Sequence, residues 1–264
     1  MNILTLYFSG TGNTEFIARL FSGEMNARCF SIEADMDFSA LIKSSDMIAF
    51  CYPVYGSRVP RIMREFAAKY MSDINGKKIV IFVTQMIFSG DGARVFTDMF
   101  WDGAVRVVYA EHFNMPNNIG NILIFRKPSE KSVMSKQRKA EAKMKRVCRD
   151  IREGITKKRG FSRFSQMLGS LQGKAWQGDS REITPSATSI ESKIKSNVRI
   201  HEQCNNCGLC VKICPMKNLL RDGTNVISQA GNCIACYRCV NRCPHRAITV
   251  WIHLRPRWQY NFKV

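Results

Sequence analysis

Apolar and polar positions alternate in short bursts over the first 125 residues. Strand-like apolar runs fall at 2–8, 27–32, 47–52, 79–84 and 105–111. Stretches with helical spacing fall between them at 14–22, 39–44, 60–70 and 93–100. Strand alternating with helix requires crossover connections, which give a parallel sheet covered by helices on both faces. The expectation is an α/β domain with a doubly wound five-stranded parallel sheet. Its ligand would sit beyond the carboxyl ends of the strands.

Beyond residue 125 the pattern changes. Val133, Ala140, Met144, Val147, Ile151 and Ile155 recur at helical intervals and form one apolar stripe, so 131–158 is expected to be a long helix packed on the sheet. Residues 160–199 are rich in Ser, Gly, Lys and Gln. They read as a linker draped over the first domain, with one short helix around 164–171. Residues 200–252 then form a small second domain, and 253–264 a basic and aromatic tail. In that tail Trp258, Tyr260 and Phe262 interleave with Arg255, Arg257 and Lys263, following Trp251. Such a mixture suits single-stranded nucleic acid or a membrane surface, but packing against the second domain is the expectation.

The first strand runs directly into Ser9, Gly10, Thr11, Gly12, Asn13 and Thr14 and then a helix. Free backbone N–H groups at a helix N-terminus, two permissive glycines and three hydroxyls make a phosphate site that needs no cationic side chain. A dinucleotide fingerprint would need glycine where Glu15 stands, and the hydroxyl-rich pattern suits a mononucleotide better. Glu33, near the place of a ribose-binding acid, keeps the dinucleotide alternative open. Two further strand-end segments point to the same place. Pro53, Val54, Tyr55 and Gly56 follow the third strand; Thr84, Gln85, Met86, Gly90 and Asp91 belong to the segment ending the fourth. Together they would sandwich an isoalloxazine ring, with Tyr55 stacking and the Gly56 carbonyl turned toward flavin N5. FMN is the expected ligand.

The C-terminal half carries Cys204, Cys207, Cys210 and Cys214 before Pro215, and Cys233, Cys236, Cys239 and Cys243 before Pro244. Both runs read C-x2-C-x2-C-x3-C-P. This spacing holds two 4Fe-4S clusters, with the fourth cysteine of each run ligating the other run's cluster. Cys204, Cys207, Cys210 and Cys243 would hold one, and Cys233, Cys236, Cys239 and Cys214 the other. Structural zinc favours paired C-x2-C with longer gaps and does not account for the Cys-Pro endings. The remaining Cys29, Cys51 and Cys148 read as buried thiols.

Charge divides the chain. The formal net charge is +19, yet residues 1–125 balance to −1, whereas 126–163 carry +11 and 164–264 carry +9. A positive field around the cysteine-bearing half would steer an acidic redox partner. Nucleic acid is the disfavoured rival; in that reading the chain would be a redox sensor. The opening residues lack a basic segment and a small-residue cleavage site, and no apolar run reaches the ~18 residues of a membrane span. The expected compartment is the cytoplasm, where thiols serve metals more often than disulfides.

Taken together, S-G-T-G-N-T after the first strand and P-V-Y-G after the third resemble flavodoxins. With the cysteine runs, the chain resembles the flavodoxin–ferredoxin fusion proteins of anaerobes, an α/β flavodoxin-like sheet followed by a small α+β bacterial ferredoxin-like domain. The resemblance covers most of 1–125 and 200–250. It implies electron transfer between clusters, FMN and a redox partner, and it places Met115, Pro116, Asn117 and Asn118 near the flavin. The alternative is a reductase whose flavin passes electrons to a small organic acceptor or a quinone. No acid–base pair among Glu15, Glu33 and Asp91 suggests catalysis of another kind.

Overall fold

The structure, a computed structural model, describes residues 1–101, 103–228, 231–260 and 262. Its first domain is one parallel sheet. The strands are β1 (Ile3–Tyr7), β2 (Arg28–Ser31), β3 (Met47–Pro53), β4 (Lys78–Gln85), β5 (Arg106–Asn114) and β6 (Lys157–Lys158), in the order β2-β1-β3-β4-β5-β6. Every neighbouring pair is parallel. Strand side chains alternate between two separate cores, as a period of two demands. Leu4, Leu6, Ile48, Phe50, Ile79 and Ile81 join Met63 and Phe66 of α3 (Arg61–Lys69, after α2, Ser39–Lys43) and Phe96 of a short 3-10 helix, Arg94–Met99. On the opposite face Ile3, Met47, Ala49, Val80 and Phe82 meet Ile17 and Phe21 of α1 (Asn13–Met25). A one-turn helix, α4 (Met71–Ile74), closes the connection to β4.

The sheet is therefore the doubly wound one expected, with a sixth strand added at the edge. The long helix α5 spans Glu130–Arg152 and is capped by the Ser129 hydroxyl, which accepts from the Ser132 N–H at 3.2 Å. It stops six residues earlier than its stripe suggested. Gly154, at φ 73°, reverses the chain, so Lys157 and Lys158 pair with Tyr109 and Ala110 as β6. Ala140, Met144, Val147 and Ile151 are buried on the sheet, whereas Ile155, past the helix, is exposed.

The linker is more structured than expected. Helix α6 runs Arg163–Trp176, longer at both ends than the 164–171 read from the sequence, and α7 follows at Ile190–Lys195. Buried Arg64 of α3 pairs with buried Glu191 of α7 at 3.0 Å and donates to the Ile183 carbonyl at 2.9 Å. This fixes the linker on the first domain.

In the second domain β7 (Val198–Ile200) pairs antiparallel with β10 (Ile248–Val250), and β8 (Leu219–Asp222) with β9 (Asn225–Ser228). Two short helices, α8 (Leu209–Ile213) and α9 (Arg238–Arg242), lie 29 residues apart. The tail corrects one expectation. It does not stay on the second domain but crosses back to the first, where Trp258, Tyr260 and Phe262 join the core of α1 and α5. The Trp258 indole N–H donates to the Phe125 carbonyl at 3.1 Å, while Gln259 still bonds the Val240 and Cys243 carbonyls. Aromatic surface that a free tail would leave in water is buried by the seam between domains. Lys263 lies outside the described residues. No helix among the described residues is long and apolar enough to cross a membrane.

Candidate redox site

At the carboxyl ends of the central strands lies a cavity of about 360 Å3. Of the residues expected around a flavin, Ser9, Gly10, Thr11, Asn13, Thr14, Pro53, Val54, Tyr55, Gly56, Thr84, Gln85 and Met86 line it. Met115, Pro116, Asn117 and Asn118 line it too. Three expected residues stand elsewhere. Gly12 caps α1 at φ 99°, a conformation that suits glycine, and a Cβ there would stand 2.9 Å from Phe262. Gly90 packs against Gly169 of α6. Asp91 is buried in an ion pair with Arg94 at 2.6 Å, and Arg58 is 3.7 Å away. Burial pushes the Asp91 carboxyl up, against the pull of Arg94. Its carboxylate lies against Gly169 of α6, not the cavity.

The loop at 9–14 is held open by its own bonds. Ser9 Oγ accepts from the Gly12 N–H at 3.1 Å, and the Asn118 amide donates to Thr11 Oγ1 at 2.9 Å. Thr14 and Thr84 share a hydroxyl bond of 2.7 Å, tying the helix start to the end of β4. The Asn13 amide donates to the Pro116 carbonyl at 2.9 Å and accepts from the Tyr260 hydroxyl at 2.7 Å. The N–H groups of Asn13, Thr14 and Glu15 precede the first intrahelical bond, from the Phe16 N–H to the Gly12 carbonyl at 3.0 Å, and can meet an anion. Gln85 adds a second polar feature. Its Nε2 donates to Asn114 and to the Ile87 carbonyl, leaving buried Oε1 with no partner among the described residues.

Residues that the sequence reading missed close the cavity. Trp176, at the end of α6, lies beside Tyr55 with ring centroids 6.3 Å apart and covers Gly56, whose Cβ would stand 2.5 Å from the indole. Trp251 meets Trp176 edge-on at 6.1 Å. Ala235 and Tyr237, from the second cysteine run, form another wall. The linker was expected to drape over the first domain, but no local signal placed Trp176, Trp251 or the second cysteine loop at the cavity.

The eight cysteines gather as two rings. Cys214, Cys233, Cys236 and Cys239 surround one small hollow, and Cys204, Cys207, Cys210 and Cys243 surround another. Each ring takes three thiols from one run and the fourth from the other. The backbone repeats with the sequence. Asn206, Gly208 and Lys217 have positive φ, as do Ala235, Tyr237 and Arg246, each 29 residues on. For residues with a Cβ this left-handed conformation is costly, so its repetition marks loops shaped around something. In both runs a backbone N–H points at sulfur: Asn206 at Cys204 (3.4 Å), Asn218 at Cys214 (3.3 Å), Ala235 at Cys233 (3.4 Å) and Ala247 at Cys243 (3.3 Å). Among the described residues no three His, Cys, Asp or Glu side chains converge as a single-ion site.

The ring of Cys233, Cys236 and Cys239 is the inner one. Burial pushes the Cys233 thiol up to about 12 and Cys236 to about 11, and holds Cys239 well above the ordinary thiol value. A Cβ on Gly10 would stand 2.4 Å from the Cys236 carbonyl oxygen, so this loop rests directly on the 9–14 loop. Arg238 locks the contact. It donates to the carbonyls of Ser9 (2.7 Å), Gly10 (3.2 Å) and Ile213 (3.1 Å), and its guanidinium meets both Glu33 oxygens at 2.6 Å. Glu33 is thus engaged between domains rather than facing the cavity. Arg61 of α3 donates to the Asn232 carbonyl at 2.7 Å, next to Cys233. In the other ring Cys207 is exposed.

Comparison with known proteins agrees with this division. A family model described as a flavodoxin domain matches residues 4–119, and one described as a 4Fe-4S dicluster domain matches 196–244. No curated protein matches the chain. Among solved structures, a putative flavoprotein from Bacteroides eggerthii is 20% identical, covering 44% of this chain and 90% of its own, with a TM-score of 0.36. Two-electron reduced flavodoxin from Megasphaera elsdenii is 21% identical over 53% of this chain and 98% of its own, at 0.38. The Trp repressor binding protein of Bacillus subtilis is 12% identical over 55% and 97%, at 0.40. With a flavodoxin domain followed by a 4Fe-4S dicluster domain in one polypeptide, the chain is a flavodoxin–ferredoxin fusion, an electron-transfer flavo-iron-sulfur protein.

Proposed function

We propose that the chain carries one FMN and two 4Fe-4S clusters, and relays electrons between the flavin end, the inner cluster, the outer cluster and a redox partner. The observation that carries this reading is the shared wall: Ala235 and Tyr237 belong to the inner cysteine loop and also line the flavin cavity. When bound, the flavin would join two-electron chemistry to the single-electron steps that the clusters supply. The 9–14 loop would receive the phosphate, and Tyr55 and Trp176 would border the ring system. The unpartnered Gln85 oxygen is a ready acceptor for a ring N–H. Commitment of Glu33 to Arg238 argues for a mononucleotide over a dinucleotide.

Around the clusters, the chain's task is to hold thiolates apart and exclude water. Crossed rings of four cysteines, with backbone N–H groups on sulfur, suit two cubes. The outer ring lies among exposed Lys212, Arg221, Arg242 and Arg246, which favours an acidic partner docking there. The division into a flavodoxin domain (1–159), a linker (160–199), a ferredoxin domain (200–252) and a tail (253–264) serves this reading, with linker and tail acting as clamps.

A second reading, reduction of a small organic acceptor or quinone, is favoured by Ile87 and Phe88. Both line the cavity and are exposed at its mouth. Anaerobic reconstitution tests the first reading. The expected protein retains one FMN, identified by mass after denaturation, with about eight iron atoms. A dinucleotide in its place, or about four iron atoms, would overturn it. Steady turnover of an added quinone would support the second reading.

A further inference from the structure

Helix α6 is inside out. Its apolar side chains Phe164, Met167 and Leu171, at helical spacing i, i+3 and i+7, are 67%, 56% and 71% exposed. Its protein-facing side is made of glycine. Gly169 presses on Gly90 and Asp91, and Gly173 on the Arg58 guanidinium, so closely that a Cβ on either would stand about 2 Å from a neighbouring atom. Ordinary surface helices bury the apolar stripe and show the polar one to water. Here the reverse arrangement extends into the loop after β4, which packs against α6 through Gly90 and Gly169. Ile87 is 72% exposed and Phe88 48%. Five large apolar side chains thus stand exposed on two elements packed together at Gly90 and Gly169, more than the scattered exposure common on monomers.

The charge around this surface indicates what covers it. Residues 157–178 contain Lys157, Lys158, Arg159, Arg163 and Lys174 and no Asp or Glu. Lys158, Arg163 and Lys174 are exposed and form no ion pair among the described residues. A second copy of a +19 chain would be repelled. Transient electron-transfer complexes bury small areas and do not call for a continuous apolar ridge. An apolar helical face flanked by lysine and arginine is the pattern of a helix lying in the interface of an anionic bilayer. We propose that this face docks the protein onto anionic lipid membranes, with Phe164, Met167, Leu171, Ile87 and Phe88 entering the interface and the basic side chains reaching the headgroups. The cavity mouth then faces the membrane. The surface argument does not depend on which cofactor fills the cavity.

Co-sedimentation of the full chain with lipid vesicles tests it. At physiological salt the protein should bind vesicles containing phosphatidylglycerol and leave pure phosphatidylcholine vesicles largely unbound. Both substituted side chains in Phe164→Ser/Leu171→Ser point into solvent, so this variant should keep its melting temperature. It should lose affinity by about tenfold per side chain, or roughly a hundredfold in all. Failure of the wild type to bind anionic vesicles would overturn the proposal. Unchanged affinity of the double variant would overturn it too, leaving only diffuse attraction to a cationic protein. A dimer seen by sedimentation velocity and lost in the same variant would assign the face to self-association instead.

Discussion

The two cysteine runs share their spacing, their left-handed backbone positions and their N–H contacts to sulfur, yet they occupy opposite environments. The first run has an exposed cysteine, Cys207; the second is pressed against the flavodoxin domain through Cys236. Two positions account for much of the difference. Where the first run has Gly208 and Leu209, the second has Tyr237, which walls the cavity, and Arg238, which bonds Ser9, Gly10 and Glu33. The two loops repeat one another, and these two positions mark which one faces the cavity. An electron relay needs this asymmetry, one loop toward the cofactor and one toward the partner.

The largest test breaks the rings one at a time. Cys236→Ser and Cys207→Ser should each remove about half of the iron and sulfide, measured on purified anaerobic protein. Only the first should also weaken flavin retention, because only its loop forms the cavity wall. Equal effects on flavin would dissolve the distinction between inner and outer.

The clamp that holds the linker on the first domain comes next. Glu191→Ala leaves the buried Arg64 guanidinium without its carboxylate and should cost about 3–5 kcal/mol, read as a lower denaturation midpoint. Replacing Asp179, whose pair with Arg181 is exposed, should change stability by less than about 1 kcal/mol.

Glycine contacts sharpen the contrast further. Gly10→Ala forces a Cβ against the Cys236 backbone carbonyl and should destabilise the domain contact by roughly 1–3 kcal/mol, with weaker FMN binding by fluorescence titration. Gly208→Ala meets only the flexible Arg221 side chain, so its cost reduces to the strain of a left-handed alanine, about 1 kcal/mol, with no effect on flavin.

The smallest effect concerns potential. Arg238→Leu makes the second run match the first at that position and removes a half-buried positive charge, paired with Glu33, beside the inner ring. A cation favours the reduced, more negative cluster, so the variant should lower the inner midpoint potential and leave the outer one unchanged. EPR-monitored titration distinguishes the two signals.

The sheet class, the place of the 9–14 loop at the cavity and the gathering of the eight cysteines were legible because each rests on a local pattern: apolar period, glycine and hydroxyl placement, cysteine spacing. Gly90 and Asp91 were misplaced because the end of β4 was read as one continuous flavin loop, whereas the Asp91 carboxylate answers to Arg58 and Arg94. The helix over 131–158 was drawn too long because Ile155 continues the stripe by chance after Gly154 has ended the helix. Trp176, Trp251 and the tail aromatics reach the site through tertiary folding that no local pattern encodes. Arg238 did leave a trace, visible when the two runs are aligned position by position.

The most direct test of the relay is anaerobic stopped-flow reduction of the flavin by an acidic ferredoxin or flavodoxin donor, compared in wild type and Cys236→Ser reconstituted with FMN. With the inner cluster between donor and flavin, its loss should slow flavin reduction roughly a hundredfold or more, since delivery within one molecule is replaced by chance collision. Flavin reduced at the wild-type rate without the inner cluster would contradict the account.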